Sequence, residues 1–592
     1  MGVLDLLKTR WVHGMAIART VPFLPRFLPG ARWNIGRMLE VQARKNGTEP
    51  AIVFEDRRYT WSEVHAEVDR AAKGFRELGI GEGDVVVLLM DNRPEFLFAI
   101  TALNRIRAAG ALINTNITGT ALCHAIDIAK GVAILAGQEH MEKVASVLPE
   151  LASVSKDRVF IQGEGGVCES GDYQSMDEVL ERQPSGPLED VPTPDIADCL
   201  GYIYTSGTTG LPKAAVIANK RVMMPGILMG KAILGLKKDD VVYVTTPLYH
   251  SVGMFIGWGA ALTTGATLAI RRKFSASRFW DDVDRFGVTV FVYIGELCRY
   301  LLNQPVHPLE KSHRIRLAAG NGLRPDIWEE FQERFSIPLI REYYGATEGN
   351  SMVINFTGQP GKIGRLMMGA KLLRCDSETG DPIRNAEGFC ESAGEGETGL
   401  FVAPHTKLVP FDGYVDRKAT QKKILVDVFK EGDAWFNSGD LMTLYPDRWL
   451  AFADRVGDTF RWKGENVSTT EVAEVLNGAP GVLETNVYGV EIPGSDGRAG
   501  MASVNIDPDF SIEAFARFAN ENLASYQRPI FVRVQREMEL TVTLKHQKVG
   551  YRRDGYDPSK VRDPLYLLEA ETCTPIDADL YASIQDGRHK IR

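Results

Sequence analysis

The sequence predicts an α/β protein with a large N-terminal domain of mainly parallel, helix-covered sheets and a small α/β C-terminal lid domain on a hinge. Three observations support this. Apolar runs alternate with helical patterns along most of the chain, which is typical of parallel sheets covered by helices. A chain of 592 residues is too long for one compact core. After about Asp454 the sequence becomes more charged and shows a shorter alternation of its own.

The first elements follow from caps and breakers. Ser62 is a predicted N-cap for a helix that runs to Gly79, and an apolar strand is predicted at 84–89. A second helix is predicted from Pro94 to Gly110, because proline favours the first helical position and glycine the end. Further strands are predicted at 199–204, 241–246, 267–271, 288–292, 484–491, 500–506 and 530–534, and further helices at 275–286 (capped by Ser275), 325–335, 471–476 and 512–523.

Two apolar stretches are candidates for segments that span or contact a membrane. Residues 241–270 contain no Asp, Glu, Lys or Arg, but Pro247, His250 and several glycines predict a strand, a loop and a helix rather than a membrane span. Residues 4–27 mix apolar side chains with Lys8, Arg10 and Arg19. Two interpretations stay open for this segment within 1–35: an amphipathic segment on a membrane surface, or an ordinary helix packed on the protein.

Composition excludes several classes of protein. The net charge of −9 argues against a general nucleic-acid binder. The seven cysteines are scattered, with no C-x-x-C pair and no His/Cys cluster at zinc spacing. Such a count fits a reducing compartment.

The most informative stretch is Tyr204-Thr-Ser-Gly-Thr-Thr-Gly-Leu-Pro-Lys213, which follows a predicted buried strand. Glycines allow close approach of the backbone to a ligand, and successive N–H groups in such a loop can bind an anion. Hydroxyl groups add donors, and Lys213 adds a charge suited to phosphate. The spacing is not that of a Walker A loop. A loop of this composition taken alone is also compatible with a plain surface turn.

Other short motifs follow along the chain, and each taken alone is also compatible with a structural role. A lone histidine is usually structural, and a lysine-rich run is usually a solvated face. The motifs are Pro247-Leu-Tyr-His250, Ala319-Gly-Asn-Gly322, Tyr343-Tyr-Gly-Ala-Thr-Glu348, Trp435-Phe-Asn-Ser-Gly-Asp440, Asp454-Arg-Val-Gly-Asp458, Lys463-Gly-Glu-Asn466 and Thr541-Val-Thr-Leu-Lys-His-Gln-Lys548.

Together these motifs resemble the core signatures of the adenylate-forming enzymes, which include acyl-CoA synthetases, luciferases and adenylation domains. Five further stretches resemble the fatty acid transport protein and very-long-chain acyl-CoA synthetase branch. They are 274–280, 293–302, 411–414, 460–470 and 497–502. The resemblance runs from about Thr60 to about Tyr566.

The resemblance implies a site for ATP and Mg²⁺. Thr347 would donate to the α-phosphate, Glu348 would hold Mg²⁺ with Thr205 as a further candidate ligand, and Tyr344 would lie near adenine. Asp440 would accept from the ribose hydroxyls and Arg455 would contact the ribose. The implied ATP-binding residues are Tyr204, Thr205, Ser206, Gly207, Thr208, Thr209, Gly210, Lys213, Gly320, Asn321, Gly322, Tyr343, Tyr344, Gly345, Ala346, Thr347, Asp440 and Arg455.

The resemblance also implies a moving lid. The domains would be 1–455 and 459–592, joined by a hinge at 456–458, where Gly457 stands in place of the Asp or Lys of most members. Lys463, Gly464, Glu465 and Asn466 would approach CoA. Leu544 replaces the usual glycine of the last motif, and alignment on the threonines makes Lys545 the catalytic lysine, with Lys548 as the alternative.

The implied catalytic residues are Lys545, Thr347, Glu348 and His250, and the implied acyl-pocket residues are His250, Ser251 and Gly322. The implied function is a long- or very-long-chain fatty acid–CoA ligase that works through acyl-AMP, with fatty acid, ATP and CoA as partners. Two alternatives stay open: an adenylating enzyme that passes the acyl group to a carrier protein, and a lipid transport protein with secondary ligase activity. The expected location is cytoplasmic, with contact at the inner face of a membrane left open.

Overall fold

The structure is a computed structural model, and it describes residues 14, 18–190, 192–205, 211–366, 369–376, 379–406, 411–462, 465–493, 497–536, 548–569, 572–589 and 591, without the side chains of Asn466 and Val549. The chain forms two compact units. The N-terminal unit comprises residues 1–360 and 410–422, and the C-terminal unit comprises 361–409 and 423–592. The domain division at 455–459 and the hinge at 456–458 stay predictions.

The first sheet of the N-terminal unit carries the predicted phosphate loop. Its strands are parallel except for the last pair, which is antiparallel. Most of its central residues are buried, as expected for a sheet covered on both faces. The order across the sheet is Gln174–Ser175, Val159–Gln162, Ala133–Gly137, Val85–Leu89, Ala109–Leu112, Cys199–Thr205 and Lys213–Ala218.

A second sheet of this unit carries three further predicted motifs, at 247–250, 319–322 and 343–348, on its strands or directly after them. Its inner strands are parallel, and the strand at each end of the series is antiparallel to its neighbour. The order is Met352–Asn355, Ile340–Gly345, Leu317–Asn321, Val290–Ile294, Val241–Val244, Thr267–Ile270, Pro50–Phe54 and Arg57–Thr60. The predicted parallel, helix-covered architecture is confirmed.

Two predicted helix boundaries in the first part of the chain are wrong. The helix Trp61–Glu77 is capped by Thr60, which forms a capping box with Glu63, and not by Ser62. The helix Pro94–Arg105 ends five residues before Gly110. Residues Ala109–Leu112 form a strand instead, which pairs through its backbone with the strands Val85–Leu89 and Cys199–Thr205 on either side.

The remaining helical elements of the N-terminal unit cover the two sheets. The α-helices are Ile35–Asn46, Gly119–Ile128, Met141–Val147, Met176–Glu181, Asn219–Ile227, Gly259–Thr264, Phe279–Phe286, Gly295–Leu302, Pro325–Arg334 and Arg417–Gln421. Leu228–Ile233 and Val252–Trp258 are π-helical. Short 3₁₀ turns occur at Val21–Phe27, Gln138–His140, Leu148–Glu150, Lys156–Arg158 and Ala276–Arg278. Ser275 makes no side-chain cap, so the predicted helix there begins at Phe279.

The uncharged stretch 241–270 divides as predicted into strand Val241–Val244, π-helical turn Val252–Trp258, helix Gly259–Thr264 and strand Thr267–Ile270. Among the described residues, none of the helices has both the length and the apolar character needed to cross a bilayer.

The C-terminal unit contains an antiparallel sheet, a hairpin and a smaller mixed sheet. The antiparallel sheet has the order Gly364–Arg365, Trp449–Arg455, Ala434–Tyr445, Thr398–Pro404 and Lys371–Leu373, with Ile424–Val426 also paired to Ala434–Tyr445. The hairpin joins Phe460–Trp462 to Glu465–Val467. The mixed sheet has the order Val482–Val490, Ala499–Ile506, Phe531–Gln535, Leu565–Glu569 and Thr572–Pro575, and its helices are Thr469–Leu476, Ile512–Asn522, Lys548–Asp554 and Ala578–Gln585.

Candidate active site

The predicted phosphate loop connects two antiparallel strands, Cys199–Thr205 and Lys213–Ala218. Their register places Thr205 opposite Lys213 at the base of the loop. Tyr204 is buried, and its hydroxyl donates to the carbonyl of Ala125 at 2.5 Å, so Tyr204 offers the loop its backbone only. Ser206, Gly207, Thr208, Thr209 and Gly210 lie outside the described residues.

Glu348 lies beside the base of this loop. The Tyr414 hydroxyl donates to Glu348 Oε1 at 2.8 Å and also contacts the Thr205 side chain. Burial, together with the charge of Glu348, raises the pKa of Tyr414, which therefore stays a hydroxyl donor. Lys213 Nζ lies 5.9 Å from the centre of the Tyr414 ring. A carboxylate, two hydroxyls and an ammonium group thus meet at one place.

The chain reaches this position through a backbone pairing. Val216 N donates to Gly413 O at 2.9 Å, and Val415 N donates to Ala214 O at 3.0 Å. These bonds attach the segment 413–415 to the strand Lys213–Ala218. The pairing brings Tyr414 to the phosphate loop although some 200 residues separate them in sequence.

Thr347, the predicted donor to the α-phosphate, is fixed from two sides. Its hydroxyl lies 3.0 Å from Ser251 Oγ, and Arg221 Nη2 donates to its carbonyl at 2.5 Å. Burial lowers the pKa of Arg221, although the charges of Asp412 and Glu348 act in the opposite direction. The structure therefore brings the predicted acyl-pocket residue Ser251 into contact with the predicted phosphate-binding Thr347.

His250 precedes the π-helical turn Val252–Trp258. Its ring lies 4.7 Å from that of Tyr249, centre to centre, and its carbonyl accepts from Met254 N. Tyr249 is buried, which raises the pKa of its hydroxyl. His250 is thus held next to Ser251, six residues after the strand Val241–Val244 ends, and its predicted role in the acyl pocket stays a prediction.

The segment Gly320, Asn321 and Gly322 ends a parallel strand, as predicted. Asn321 Oδ1 is buried and has no hydrogen-bond partner within the part of the chain that the structure describes. Gly322 has φ +81°, and a Cβ added there would meet no atom within 4 Å. The turn is therefore open at Gly322, and it contains a buried hydrogen-bond acceptor, Asn321 Oδ1. Along the neighbouring strand Ile340–Gly345, Tyr343 is buried and Tyr344 faces the opposite side.

Glu342, also on this strand, is a buried acid. Burial raises its pKa to about 8, although hydrogen bonds from Tyr293 and from the backbone N–H groups of Leu323 and Gly322 oppose the rise. The ordinary pKa of a glutamic acid is about 4.5. Between this pH and about pH 8, the carboxyl group of Glu342 keeps its proton in the folded state but has lost it in the unfolded state. The free energy of unfolding should therefore fall as pH rises across this window.

Comparing urea unfolding of the wild type and of Glu342→Gln at several pH values tests this expectation. The glutamine variant lacks the titrating group, so its stability should fall less than that of the wild type as the pH rises. Glu310→Gln is a matched control: burial acts to raise the pKa of Glu310, but hydrogen bonds from Arg334 and from the backbone of His307, together with the charges of Arg334 and Lys311, lower it overall. Identical pH profiles for wild type and Glu342→Gln would contradict the expectation.

In the C-terminal unit, Asp440 and Arg455 face each other on adjacent antiparallel strands. Arg455 Nε lies 3.5 Å from Asp440 Oδ1. Asp458 N donates to Arg455 O at 2.9 Å, which closes a turn that contains Gly457 at φ +81°. The buried Asp454 accepts from Thr459 Oγ1 at 3.1 Å and from Thr469 N at 2.8 Å. Both predicted ribose ligands thus lie together next to the predicted hinge.

Lys548, the alternative to Lys545, is already paired within the C-terminal unit. Its ammonium group donates to Thr469 Oγ1 at 2.5 Å and lies 3.5 Å from Asp458 Oδ2. Lys545 lies outside the described residues, as do Lys463 and Gly464. Glu465 and Asn466 belong to the strand Glu465–Val467 of the hairpin.

Sequence reasoning assigned no role to Tyr414, Arg221 and Glu342. Tyr414 belongs to the stretch Phe411-Asp-Gly-Tyr414, which had served only to indicate the branch of the family. Glu342 directly precedes the Tyr343–Glu348 motif, so its position in the sequence could have indicated that it lies close to the site. Arg221 gave no signal in the sequence, because only the fold brings the first turn of the helix Asn219–Ile227 to Thr347.

The donors at the loop base fit a hard divalent cation. The Glu348 carboxylate and the Thr205 hydroxyl are oxygen donors of the kind that Mg²⁺ prefers, and both contact the same Tyr414 hydroxyl. Together with phosphate oxygens and water, they could complete the coordination of Mg²⁺.

Comparison with known proteins identifies the family. Residues 39–396 match the model of the AMP-binding enzymes. The chain belongs to the AMP-binding enzyme family. Long-chain fatty acid transport protein 2 of Rattus norvegicus is 39% identical over 572 residues, which cover 93% of this chain and 90% of that protein. A medium/long-chain-fatty-acid–CoA ligase of Mycobacterium tuberculosis is 37% identical over 567 residues, covering 95% and 92% of the two chains.

Solved structures share the fold. An anthranilate CoA ligase in complex with anthranoyl-AMP has a TM-score of 0.76 at 22% identity, covering 90% of this chain and 99% of that one. A benzoate CoA ligase from Burkholderia xenovorans has a TM-score of 0.74 at 21% identity, covering 88% and 100%. The predicted adenylate-forming fold with a C-terminal domain is confirmed.

Proposed function

We propose that the protein is an AMP-forming fatty acid–CoA ligase for long or very long acyl chains. The observation that supports this most directly is the arrangement at the phosphate loop, where the Tyr414 hydroxyl joins Glu348 to Thr205, opposite Lys213. The relatives named above as a fatty-acid–CoA ligase and a fatty acid transport protein support the choice of substrate.

The reaction has two steps. In the first, a carboxylate oxygen of the fatty acid attacks the α-phosphorus of ATP, and the bond to pyrophosphate breaks. The loop from Thr205 to Lys213 would hold the phosphates, and the Thr347 hydroxyl, oriented by Ser251, would donate to an α-phosphate oxygen. Glu348 and Thr205 would hold Mg²⁺, which neutralises negative charge on phosphate oxygens when bound.

In the second step, the CoA thiolate attacks the acyl carbon, and the acyl–oxygen bond breaks to release AMP. A rotation of the lid about 456–458 would withdraw Lys545 and bring residues 463–466 to the site. Gly457 suits such a joint because glycine tolerates large changes in backbone angles. Asp440 and Arg455, which lie beside this turn, would contact the ribose.

The test is AMP formation with ATP, Mg²⁺ and CoA across a panel of carboxylic acids from short to very long chains. The proposal expects CoA-dependent AMP release with fatty acids of long or very long chain. Pyrophosphate exchange without CoA-dependent AMP release would favour transfer to a carrier-protein thiol instead. Absence of AMP formation with every acid would refute the ligase.

A second candidate function, fatty acid uptake coupled to acylation, is supported by the names of several relatives and by one surface of the N-terminal unit. Val21, Leu24 and Leu28 are each more than half exposed, around the turn Val21–Phe27. Arg26 lies against the Trp33 ring, 4.2 Å from its centre, next to this apolar patch. Exposed apolar side chains beside a cation are typical of a peripheral contact with an anionic membrane. The protein would then work at the cytoplasmic face of a membrane.

The double change Leu24→Gln and Leu28→Gln should weaken binding to vesicles that contain anionic lipid. Flotation with vesicles measures this, and we expect at least about a fivefold loss, or about 1 kcal/mol, because side chains that are already nearly half buried gain only part of the roughly 1.5–3 kcal/mol that accompanies full burial of each leucine. Val306→Gln is the control, since Val306 is also strongly exposed but lies far along the chain from this turn. Unchanged flotation of the double variant would exclude this surface as the contact.

A further inference from the structure

One buried carboxylate joins the ends of three neighbouring parallel strands. Glu342 is 3% exposed. It accepts from the Tyr293 hydroxyl at 2.7 Å, from Gly322 N at 3.0 Å and from Leu323 N at 3.0 Å. Tyr293 lies on the strand Val290–Ile294, and Gly322 and Leu323 follow the strand Leu317–Asn321. Both side-chain oxygens are therefore used, and above about pH 8, where the group is ionised, each of them acts as an acceptor.

The need for this carboxylate follows from where the strand pairing stops. The last paired residues of the strands Leu317–Asn321 and Ile340–Gly345 are Gly320 and Glu342. Beyond this point the N–H groups of Gly322 and Leu323 lose a strand partner, and buried N–H groups must find another acceptor. The Glu342 side chain supplies that acceptor and so fixes the shape of the turn.

The same turn is packed on one side and open on the other. A Cβ at Gly295 would lie 1.7 Å from Gly322 O, and a Cβ at Gly320 would lie 2.3 Å from the Tyr293 ring. By contrast, a Cβ at Gly322 would meet nothing within 4 Å. The open side is at the carboxyl ends of parallel strands, where open α/β sheets bind their ligands.

We propose that Glu342 is a positioning residue for nucleotide binding: through Tyr293, Gly322 and Leu323 it holds the turn 320–322 in the shape that receives adenine. This inference rests on the proposed function, which assigns the turn to ATP. Glu342 touches neither the phosphates nor the reacting atoms in this role. Its loss should therefore affect affinity for the adenosine part of the substrate more than the rate of the chemical step.

Glu342→Gln is the first test, and it is carried out above about pH 8, where the wild-type carboxyl group is ionised. The amide group of glutamine would turn N–H donors toward the N–H of Gly322 or Leu323, so the turn must shift. Leaving a buried donor without an acceptor weakens such a site by roughly 5- to 150-fold, and we expect the KM for ATP and the Kd for AMP to rise about tenfold. The kcat and the inhibition by pyrophosphate should change less than about threefold, because the loop from Thr205 to Lys213 is untouched.

Tyr293→Phe is the second test, and it keeps the inference falsifiable if the glutamine variant folds poorly. It removes one of the three donors and leaves both N–H bonds in place, so a smaller rise in the Kd for AMP is expected. Glu310→Gln, which changes a buried acid paired with Arg334, is the matched control and should leave the Kd for AMP unchanged. Calorimetric titration with AMP and thermal unfolding measure affinity and folding separately.

The outcomes separate the two proposals. An unchanged Kd for AMP in folded Glu342→Gln, or in Tyr293→Phe, overturns the inference. An equal weakening of AMP and pyrophosphate binding also overturns it, because it indicates a general disturbance of the site. If the wild type binds AMP but forms no acyl-CoA, the ligase proposal fails. The Kd for AMP in the variants still decides the role of Glu342 in that case. If the wild type binds no adenine nucleotide, both fail.

Discussion

Replacement of Glu348 by glutamine should lower the rate of acyl-AMP formation by about 10²-fold, the usual effect of removing one group that stabilises charge in a transition state. The carboxylate lies at the base of the phosphate loop and is oriented there by the Tyr414 hydroxyl at 2.8 Å. An amide is a poorer ligand for Mg²⁺ than a carboxylate, so the variant should also need more Mg²⁺ for half-maximal rate. Pyrophosphate release at varied Mg²⁺ concentration measures both effects.

Two further variants make this result specific. Glu330→Gln changes an exposed acid on the helix Pro325–Arg334 and should leave the rate and the Mg²⁺ dependence unchanged. Tyr414→Phe keeps the Glu348 carboxylate but removes its hydroxyl donor, so it should raise the Mg²⁺ requirement with a smaller loss of rate. An unaltered Mg²⁺ dependence in Glu348→Gln would count against Glu348 as the ligand. Direct Mn²⁺ binding, followed by electron paramagnetic resonance, gives a readout that does not depend on turnover.

Local patterns in the sequence predicted the elements but not all of their limits. The alternation of strands and helices gave the parallel sheets because each strand is an apolar run bounded by turn residues. Thr60 caps its helix instead of Ser62 because the capping box needs a Glu three residues after the cap, and only Thr60 has one, Glu63. Gly110 lies in a strand instead of ending the helix, and its lack of a side chain makes room for the preceding helix: a Cβ there would lie 2.5 Å from the Ile100 side chain.

Positions were predictable where one motif contains all the residues involved. The placement of Thr347 beside Glu348, and of Gly320 and Gly322 at the end of a strand, could be predicted in this way, while the roles of these residues stay predictions. Tyr414 and Arg221 could not, because long-range pairing of the segment 413–415 with the strand Lys213–Ala218, and the packing of the helix Asn219–Ile227, bring them to the site. Side chains that orient others carry no motif of their own, since any element that ends nearby can supply them.

Replacement of Lys545 by alanine should reduce acyl-AMP formation by roughly 10²- to 10³-fold and leave thioester formation from supplied acyl-AMP nearly intact. In the proposed cycle this lysine reaches the α-phosphate only in the adenylating position of the lid. The substitution therefore removes a stabilising positive charge from the first step only. The two half-reactions can be measured separately, as pyrophosphate release and as acyl-CoA formation from synthetic acyl-AMP. Lys560→Ala, which removes an exposed lysine of the same unit, is the control and should alter neither.

The contacts of Lys548, the alternative catalytic lysine, predict a different effect of its replacement. The Lys548 side chain is only 16% exposed, and its ammonium group is already paired with Asp458 and Thr469 beside the turn that contains Gly457. Removing one partner of a partly buried ion pair disturbs its surroundings, so Lys548→Ala should slow both half-reactions to a similar degree. A selective loss of adenylation in Lys548→Ala, together with equal losses in both steps for Lys545→Ala, would contradict the assignment. It would indicate that Lys548, and not Lys545, is the catalytic lysine. A selective loss in Lys545→Ala alone would establish that the lysine four residues after Thr541 is the one that acts, although Leu544 precedes it in place of the glycine of the motif that this stretch resembles.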